Sequence, residues 1–178
     1  GFQDQTQQEI SRQADAVQLH FDSITARMSS AAKLTASRKV LAEAIEKGDT
    51  AFVQKLGKEV MRDSQAGFIT IADKNGNVVG RGHSEKAGDS VLSQPNVKKA
   101  LAGEASTGIE EGTVVKFSLR AGAPVKIGDK VVGSVTTGVD LTPADHAVVE
   151  EVKKLFGIEC TLFQGDTRAT TTLMKDGQ

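Results

Sequence analysis

The chain has 178 residues, and its 22 basic and 23 acidic side chains leave a formal net charge of −1. A chain of this length can bury one substantial hydrophobic core. Only 4% of the residues are aromatic, and none is Trp or Tyr. Mixed charge with so few aromatic rings argues against nucleic-acid binding, which usually uses a basic face and stacking side chains.

Cys160 is the single cysteine, so the sequence offers neither an internal disulfide nor a thiolate-rich metal site. His20, His83 and His146 lack the paired spacing of metal ligands. We therefore expect no metal and no cofactor. No apolar run approaches the roughly 20 residues that a membrane helix needs, and no signal peptide is visible. Either a cytosolic protein or an excised soluble piece fits, and Gly1 in place of an initiator Met favours the excised piece.

The first third of the chain is predicted to be helical. Apolar residues recur from Ile10 to Ala31 at alternating steps of four and three, without Pro or Gly, which predicts one long helix from Phe2 to about Leu34. This stripe suits two roles, covering one face of a sheet or pairing with its copy in a dimer. Two shorter helices follow, Arg38 to Lys47 capped by Ser37, and Ala51 to Asp63 capped by Asp49 or Thr50, with Phe52, Leu56 and Val60 on one stripe.

A β-hairpin is predicted next. Residues 68–73 alternate in a strand-like pattern, Asn75-Gly76 suits a tight turn, and Asn77 to His83 returns as a second strand. The period of two places Val79, Arg81 and His83 on one face of this strand. Gly80 and Gly82 lie on the other face, where a close neighbour would meet no side chain.

The following residues predict the rest of one sheet. Pro95 in a first turn opens a short helix, Asn96 to Ala102. Three further strands are expected at Ser106 to Glu110, Val114 to Pro124 and Val131 to Val139. We therefore predict an α+β fold, with an antiparallel five-stranded sheet covered on one face by the long helix and on the other by loops and the short helix.

The end of the chain is predicted to begin a second module. Thr142 can cap a helix that runs from Pro143 to Phe156, and a hairpin follows at 158–164 and 168–174. A helix and two strands cannot close a core by themselves. The predicted organisation is a helical segment at 1–66, a ligand-binding domain at 67–141 and a partial second module at 142–178.

Basic and hydroxyl side chains mark the candidate site. If the strands at 77–83 and 114–124 share a sheet face, donors converge beneath a loop from Ser84 to Gln94, which we interpret as a lid. Convergent Arg, Lys and His donors suit a small carboxylate, because Arg grips both oxygens at once. The predicted ligand-binding residues are Arg81, His83, Lys116, Ser118, Arg120 and Thr137, and the predicted lid residues are Ser84, Gly88, Asp89 and Ser90.

Other interpretations of these residues stay open. The basic side chains also fit an open, solvated face on which they pair with Glu85, Asp89 or Glu111. Ser90, His83 and Asp89 have the residue types of a hydrolytic triad, but the sequence shows no nucleophile elbow and no oxyanion loop. Phosphate-binding glycine loops are also missing. Catalysis is therefore weakly supported, and we expect a protein that is not an enzyme.

One stretch resembles a known family. The run RGHSEKAGDSVLSQPNVKKALAGEASTGIEEGTVVKFSLRAGAPV, followed by GDKVVGSVTTGVDL, resembles the extracytoplasmic Cache sensor domain of bacterial methyl-accepting chemotaxis receptors. The tail VVEEVKKLFGIECTLFQGDTRATTTLMKDG is similar to the first helix and hairpin of a second module in tandem members. It departs from them by ending before the remaining strands of that module.

The resemblance implies a PAS-like sheet with a ligand cleft and a long helix that descends to the membrane. It also implies a periplasmic sensor, with a membrane contact only through segments outside this chain and a homodimer through the N-terminal helix of the full receptor. Family ligands include organic acids, amino acids, amines and purines. The basic cluster favours a carboxylate such as acetate, propionate, pyruvate or lactate, in a lining otherwise formed by Val91, Leu92, Leu101 and Val135. The alternatives are an amino-acid or other metabolite sensor, a histidine-kinase sensor, a pure dimerisation module and a hydrolase.

Overall fold

The computed structural model describes residues 2–111 and 117–140, with side chains described for residues 5–111 and 118–140. Lys116, the first residues of the strand predicted from Val114, and the whole predicted second module at 142–178 lie outside these ranges. The chain divides into two compact units, residues 1–24 with 141–178 and residues 25–140. The predicted limits at 66 and 141 stay predictions.

The described helices and strands follow the predicted order. The helices are α1 (Phe2–Ala36), α2 (Lys39–Lys47), α3 (Thr50–Ser64) and α4 (Pro95–Leu101). The strands are β1 (Phe68–Asp73), β2 (Val78–Arg81), β3 (Ser106–Glu111), β4 (Phe117–Ile127) and β5 (Lys130–Asp140). The predicted α+β class is therefore confirmed.

The five strands form one antiparallel sheet in the order β2-β1-β5-β4-β3. The first and last of the described strands, β1 and β5, are paired in the interior of the sheet, with Ile71 opposite Val135. This arrangement is the predicted PAS-like sheet. Because β1 and β5 separate β2 from β4, side chains on those two strands meet only by reaching across the central pair.

Helices α2 and α3 cover one face of the sheet, together with the part of α1 that follows Ile24. Leu41 and Ile45 of α2 and Val53 and Leu56 of α3 are buried. Gly80 lies against Val53, and Gly82 lies against the backbone of Gly57. The prediction that these two strand glycines admit a close neighbour is therefore confirmed.

The cap predicted for α2 is wrong, and the stripe predicted on α3 is fully buried only at Leu56. Ser37 does not cap α2, because its hydroxyl donates a 2.7 Å hydrogen bond to the carbonyl oxygen of Leu34 at the end of α1. The buried stripe of α3 is formed by Val53 and Leu56, whereas Phe52 is only partly buried. The cap predicted for α3 is confirmed, since the Asp49 carboxylate accepts from the Phe52 amide at 3.1 Å.

Helix α1 confirms the predicted long helix and extends it to Ala36. Most of its apolar stripe is buried, including Val17, Phe21 and Met28, whereas Ile10 is 49% exposed. The carbonyl oxygen of Met28 accepts a hydrogen bond from the Thr137 hydroxyl of β5. The part of α1 that follows Ile24 therefore has the predicted role of covering the sheet.

The opposite face of the sheet carries α4 and the loop before it. Ala72 and Val78 pack with Val91 and Val97 in a small apolar cluster. The hairpin turn beneath the loop is fixed by Asp73, whose Oδ1 accepts hydrogen bonds from the amides of residues 75 and 77. This second face combines a small apolar cluster with the buried polar groups described below.

The contact between β2 and α3 generates a stability prediction. A Cβ added at Gly82 would lie 2.6 Å from the carbonyl carbon of Gly57 and 2.7 Å from Ile69. Backbone atoms cannot move aside as a flexible side chain can, so we expect Gly82→Ala to lower the free energy of unfolding by about 1–3 kcal/mol. Urea denaturation measures this change.

Gly108→Ala is the matched control, because a Cβ at Gly108 on β3 meets no atom within 4 Å. We expect Gly108→Ala to change the free energy of unfolding by no more than about 0.5 kcal/mol. Equal destabilisation by the two substitutions would contradict the close packing of β2 on α3.

Candidate functional site

Arg81 lies at the end of β2 on the α4 face, and its side chain is only 2% exposed. Its Nη1 donates to the carbonyl oxygen of Lys86 at 2.9 Å and to Oδ1 of Asp89 at 2.7 Å. Its Nη2 donates to Oδ2 of Asp89 at 2.9 Å. The guanidinium thus grips both oxygens of a carboxylate, and this hydrogen bonding from Arg81 holds the pKa of Asp89 below its ordinary value.

Arg120 lies on β4, and it is 3% exposed. Its Nε donates to the hydroxyl of Ser118, and its Nη1 donates to Oε1 of Gln94. The guanidinium carbon lies 5.3 Å from the centre of the Phe68 ring, which is within cation–π range. Phe68 projects over the middle of the sheet because Gly138 opposite it has no side chain.

His83 completes a group of three basic side chains. Its Nδ1 lies 3.3 Å from the amide nitrogen and 3.1 Å from the carbonyl oxygen of Ile69, and its ring meets the Phe68 ring edge-on at 5.5 Å. Burial, assisted by the positive charges of Arg81 and Arg120, lowers the pKa of His83 from 6.5 to about 4. His83 is therefore neutral at pH 7. The charges of Arg81 and Arg120 both act on its imidazole ring.

The start of α4 is bound to the sheet by a polar cluster that the sequence did not predict. The Glu110 carboxylate of β3 accepts from the backbone amide of Asn96 at 3.1 Å and from its side-chain amide at 2.7 Å. The side-chain Oδ1 of Asn96 accepts from the Thr136 hydroxyl of β5. Gly122 makes room for this contact, since a Cβ there would lie 2.8 Å from Oδ1 of Asn96. The sequence predicted a strand that ends at Glu110, but only the register of the sheet reveals the partners of this residue.

The structure places the predicted ligand-binding residues that it describes on both faces of the sheet, and Lys116 lies outside the described residues. Arg81, His83, Ser118 and Arg120 lie on the α4 face, as expected. Thr137 does not, because its hydroxyl donates to Met28 of α1 on the opposite face. The prediction for Thr137 is therefore wrong, and its neighbour Thr136 occupies the α4 face. Val135 has the same parity as Thr137, so it also lies away from the predicted lining.

The predicted lid is held to the hairpin by backbone hydrogen bonds. Val78 donates to the carbonyl of Asp89, Gly88 donates to the carbonyl of Val78, and Val91 donates to the carbonyl of Gly76. Gly88 has φ +86°, a left-handed conformation that suits glycine. The segment therefore rests on the sheet edge, with Asp89 bound to Arg81 and Gln94 bound to Arg120.

The lid hydroxyls have local roles. Ser84 accepts a hydrogen bond from the amide of Lys86 at 3.1 Å, and Ser90 accepts one from the amide of Leu92 at 3.3 Å. The Ser90 hydroxyl is thus engaged with its own loop, and Asp89 is engaged with Arg81. These contacts do not assemble Ser90, His83 and Asp89 into a hydrolytic triad.

The described ranges contain no group of three or more His, Cys, Asp or Glu side chains that could hold a metal ion. Within the same residues, no helix is both long enough and apolar enough to cross a membrane. A separate groove of about 320 Å³ lies between α1 and α3, lined in part by Ala31, Leu34 and Val60. It is on the other side of the sheet from the two arginines.

The geometry can be compared with known proteins. The chain matches the family model described as "Double sensory domain of two-component sensor kinase" over residues 3–176. This chain belongs to that family of extracytoplasmic Cache sensor domains. A comparison with curated protein sequences gives no significant match.

Several solved sensor domains share this Cache fold at low sequence identity. The E. coli DcuS sensor domain is 19% identical with a TM-score of 0.63, and the match covers 74% of this chain and 96% of that one. The sensor domain of the V. cholerae histidine kinase DctB is 17% identical with a TM-score of 0.70, covering 84% and 61%. The ligand-binding domain of the Campylobacter jejuni chemoreceptor Tlp3 in complex with L-valine is 12% identical with a TM-score of 0.64, covering 86% and 65%.

This Cache domain spans under two thirds of the length of the DctB and Tlp3 domains it matches. Its family membership makes it a ligand-binding sensor domain of signal-transducing receptors or histidine kinases. The likeness to these structures extends to the fold, and the ligand has to be argued from the residues of this chain.

The low pKa of His83 generates a prediction for acid stability. Between pH 6.5 and 4 the unfolded chain binds a proton at His83 that the folded chain does not bind, so stability falls as the pH is lowered through this window. We expect His83→Asn to flatten the pH dependence of the free energy of unfolding there. Urea denaturation at pH 4.5 and pH 7 measures it, and the same slope in both proteins would contradict a partly buried, neutral His83.

Proposed function

We propose that this chain is the sensing part of a membrane receptor and binds a small carboxylate on the α4 face of its sheet. The observation that carries the proposal is that two buried guanidinium groups, Arg81 and Arg120, lie on one face of the sheet and that both of their charges act on His83. Acetate, propionate, pyruvate and lactate are the proposed ligand class. A carboxylate is the natural partner of an arginine fork because both of its oxygens accept charge-assisted hydrogen bonds.

The neighbouring groups favour a small ligand with an apolar part. Phe68 lies under Arg120, and Val91 and Val97 pack in the cluster beneath the lid and α4. The neutral form of His83 adds no further charge at pH 7. The site therefore combines a charged end with a small apolar surface, as a short-chain organic acid does.

An amino acid is the second candidate ligand. Tlp3 has been solved with L-valine and with isoleucine bound, and two acidic groups, Asp89 and Glu110, lie beside the arginines of this chain. An α-amino acid would place its carboxylate at an arginine and its ammonium group at an acid. Isovalerate, which is L-valine without the amino group, separates the two ligand classes in a binding assay.

The receptor attached to this domain is proposed to be a sensor kinase or a methyl-accepting chemotaxis receptor. The family description favours the kinase, and the resemblance in the sequence favours the chemotaxis receptor. In either case we propose a sensor and not an enzyme, located in the periplasm and tethered by segments outside this chain. The tether joins the long helix α1 to the membrane.

We also propose that the full receptor is a homodimer through α1. Ile10, on the apolar stripe of this helix, is 49% exposed, and such an apolar side chain gains by pairing with a second copy. Disulfide cross-linking of Ile10→Cys in the membrane-bound receptor is expected to give a dimer. Only monomer under oxidising conditions would contradict the arrangement.

Substitution of Arg120 tests the ligand site. Arg120→Lys keeps the positive charge and removes the planar fork, so we expect the affinity for the preferred acid to fall about tenfold to a hundredfold, the worth of a charge-assisted hydrogen bond. Calorimetric titration with acetate, propionate, pyruvate and L-lactate measures it. Thermal unfolding of the variant establishes that it is folded.

Arg62→Lys is the matched control, because the Arg62 side chain on α3 is 74% exposed. We expect it to bind the same acid as the unsubstituted chain does. Unchanged affinity in a folded Arg120→Lys variant would place the carboxylate elsewhere, and no binding of any of the four acids would remove the proposed ligand class.

A further inference from the structure

Asp89 occupies the position on Arg81 that a ligand carboxylate would take. Both of its oxygens accept hydrogen bonds from the Arg81 guanidinium, at 2.7 and 2.9 Å. The Arg81 side chain is 2% exposed, whereas the Asp89 side chain is 20% exposed. The buried cation is thus neutralised by an anion at the protein surface, on the segment that covers the site.

We propose that Asp89 is a built-in competitor for the ligand carboxylate, which latches the lid onto Arg81 and sets the concentration of ligand that the sensor requires. This inference rests on the proposed function. It deepens that function by naming the residue that a ligand must displace, and it assigns the lid a closed state that exists without ligand.

The exchange is physically balanced. A ligand carboxylate takes the place of the Asp89 carboxylate in its charge-assisted hydrogen bonds with Arg81. The buried Arg81 is therefore never left without an anion. The displaced Asp89 side chain has a short path to water, because Glu85, Lys86 and Ala87 beside it are exposed. The net affinity is then the difference between the ligand pair and the internal pair.

The backbone around Asp89 limits how far this exchange propagates. The amide of Val78 donates a hydrogen bond to the carbonyl oxygen of Asp89, and the amide of Val91 donates one to the carbonyl oxygen of Gly76. Gly88, with φ +86°, precedes Asp89 and also donates to Val78. Release of the carboxylate therefore frees the Asp89 side chain and the contact with Lys86 first, while the end of the segment that carries Gln94 stays on Arg120.

An internal competitor also creates two states that a ligand distinguishes. In one state the lid is bound to Arg81 through Asp89, and in the other the ligand holds Arg81 and Asp89 is solvated. A ligand shifts such an equilibrium by its different affinity for the two states. The pair Arg81–Asp89 is thus where binding is converted into movement of the lid.

The test compares Asp89→Asn with Glu85→Gln. Both substitutions remove one negative charge from the same segment. Glu85 is the control because it is 81% exposed and forms a 3.8 Å ion pair with Lys58, away from Arg81. Calorimetric titrations use acetate, propionate, pyruvate, L-lactate and L-valine. We expect Asp89→Asn to bind at least one of the four acids about tenfold to a hundredfold more tightly than the unsubstituted chain, with Glu85→Gln unchanged.

The outcomes separate the inference from the function on which it rests. If the acids bind and Asp89→Asn leaves their affinity unchanged or weaker, the latch is wrong and the proposed function stands. If Asp89→Asn abolishes binding of L-valine, Asp89 holds an ammonium group and is not a competitor. If none of the three proteins binds any acid, the proposed function and the latch both fail.

A second measurement does not depend on a substituted protein that folds. The ¹³Cγ chemical shift of Asp89 in the unsubstituted chain reports whether its carboxylate is bound to Arg81. With the tightest-binding acid of the panel at saturation, we expect this signal to move to the position of a solvent-exposed aspartate. A signal that stays at its ligand-free position while calorimetry reports saturation would overturn the proposal.

Discussion

Two guanidinium groups are held almost completely out of water on one face of the sheet, and much of the arrangement on that face serves to compensate them. Arg81 and Arg120 are 2% and 3% exposed, and a buried charge without partners is strongly unfavourable. Asp89 neutralises the first, while Ser118, Gln94 and the nearby charge of Glu110 support the second. The lid, which carries Asp89 and Gln94, therefore lies where the two guanidinium groups require hydrogen-bond acceptors.

The two faces of the sheet are stabilised by different interactions. The face under α1, α2 and α3 is close-packed and apolar, with Gly80 and Gly82 allowing α3 to approach. The face under α4 is assembled by hydrogen bonds between buried polar groups, which act in a directional way and specify one arrangement. Glycines serve this face too, because Gly122 and Gly138 leave room for Asn96 and for the Phe68 ring. A ligand that enters here changes polar partners without disturbing the apolar packing on the other side.

The sequence predicted the elements well because their signals are local. The heptad stripe of α1, the Asn75-Gly76 turn and Pro95 at the first position of α4 each fix an element through nearby residues. Alternation grouped the basic side chains within each strand, whereas the register of the sheet brings Arg81 and Arg120 to one face. The partners of these arginines depended on strand register and on the path of the lid, which no local pattern reveals. The sequence indicates Asp89 both as a lid residue and as a possible partner of the basic side chains, whereas it gives no signal for the contact between Glu110 and Asn96.

Thr136 and Thr137 illustrate the limit most clearly. Two adjacent threonines on a strand point to opposite faces, and because the two residues are identical the sequence does not indicate which one faces the site. The contact of Thr137 with Met28 of α1 and of Thr136 with Asn96 of α4 decides it. The family match over residues 3–176 likewise fixes the class of protein, whereas solved domains that are 12–19% identical to this chain share its fold and do not identify its ligand.

A crystal structure with the tightest-binding acid of the panel tests the central claim most directly. The account predicts a ligand carboxylate on the α4 face, with an oxygen about 2.7–2.9 Å from a guanidinium nitrogen of Arg81 or Arg120. Electron density for the acid in the groove between α1 and α3, with both arginines keeping their internal partners, would contradict it.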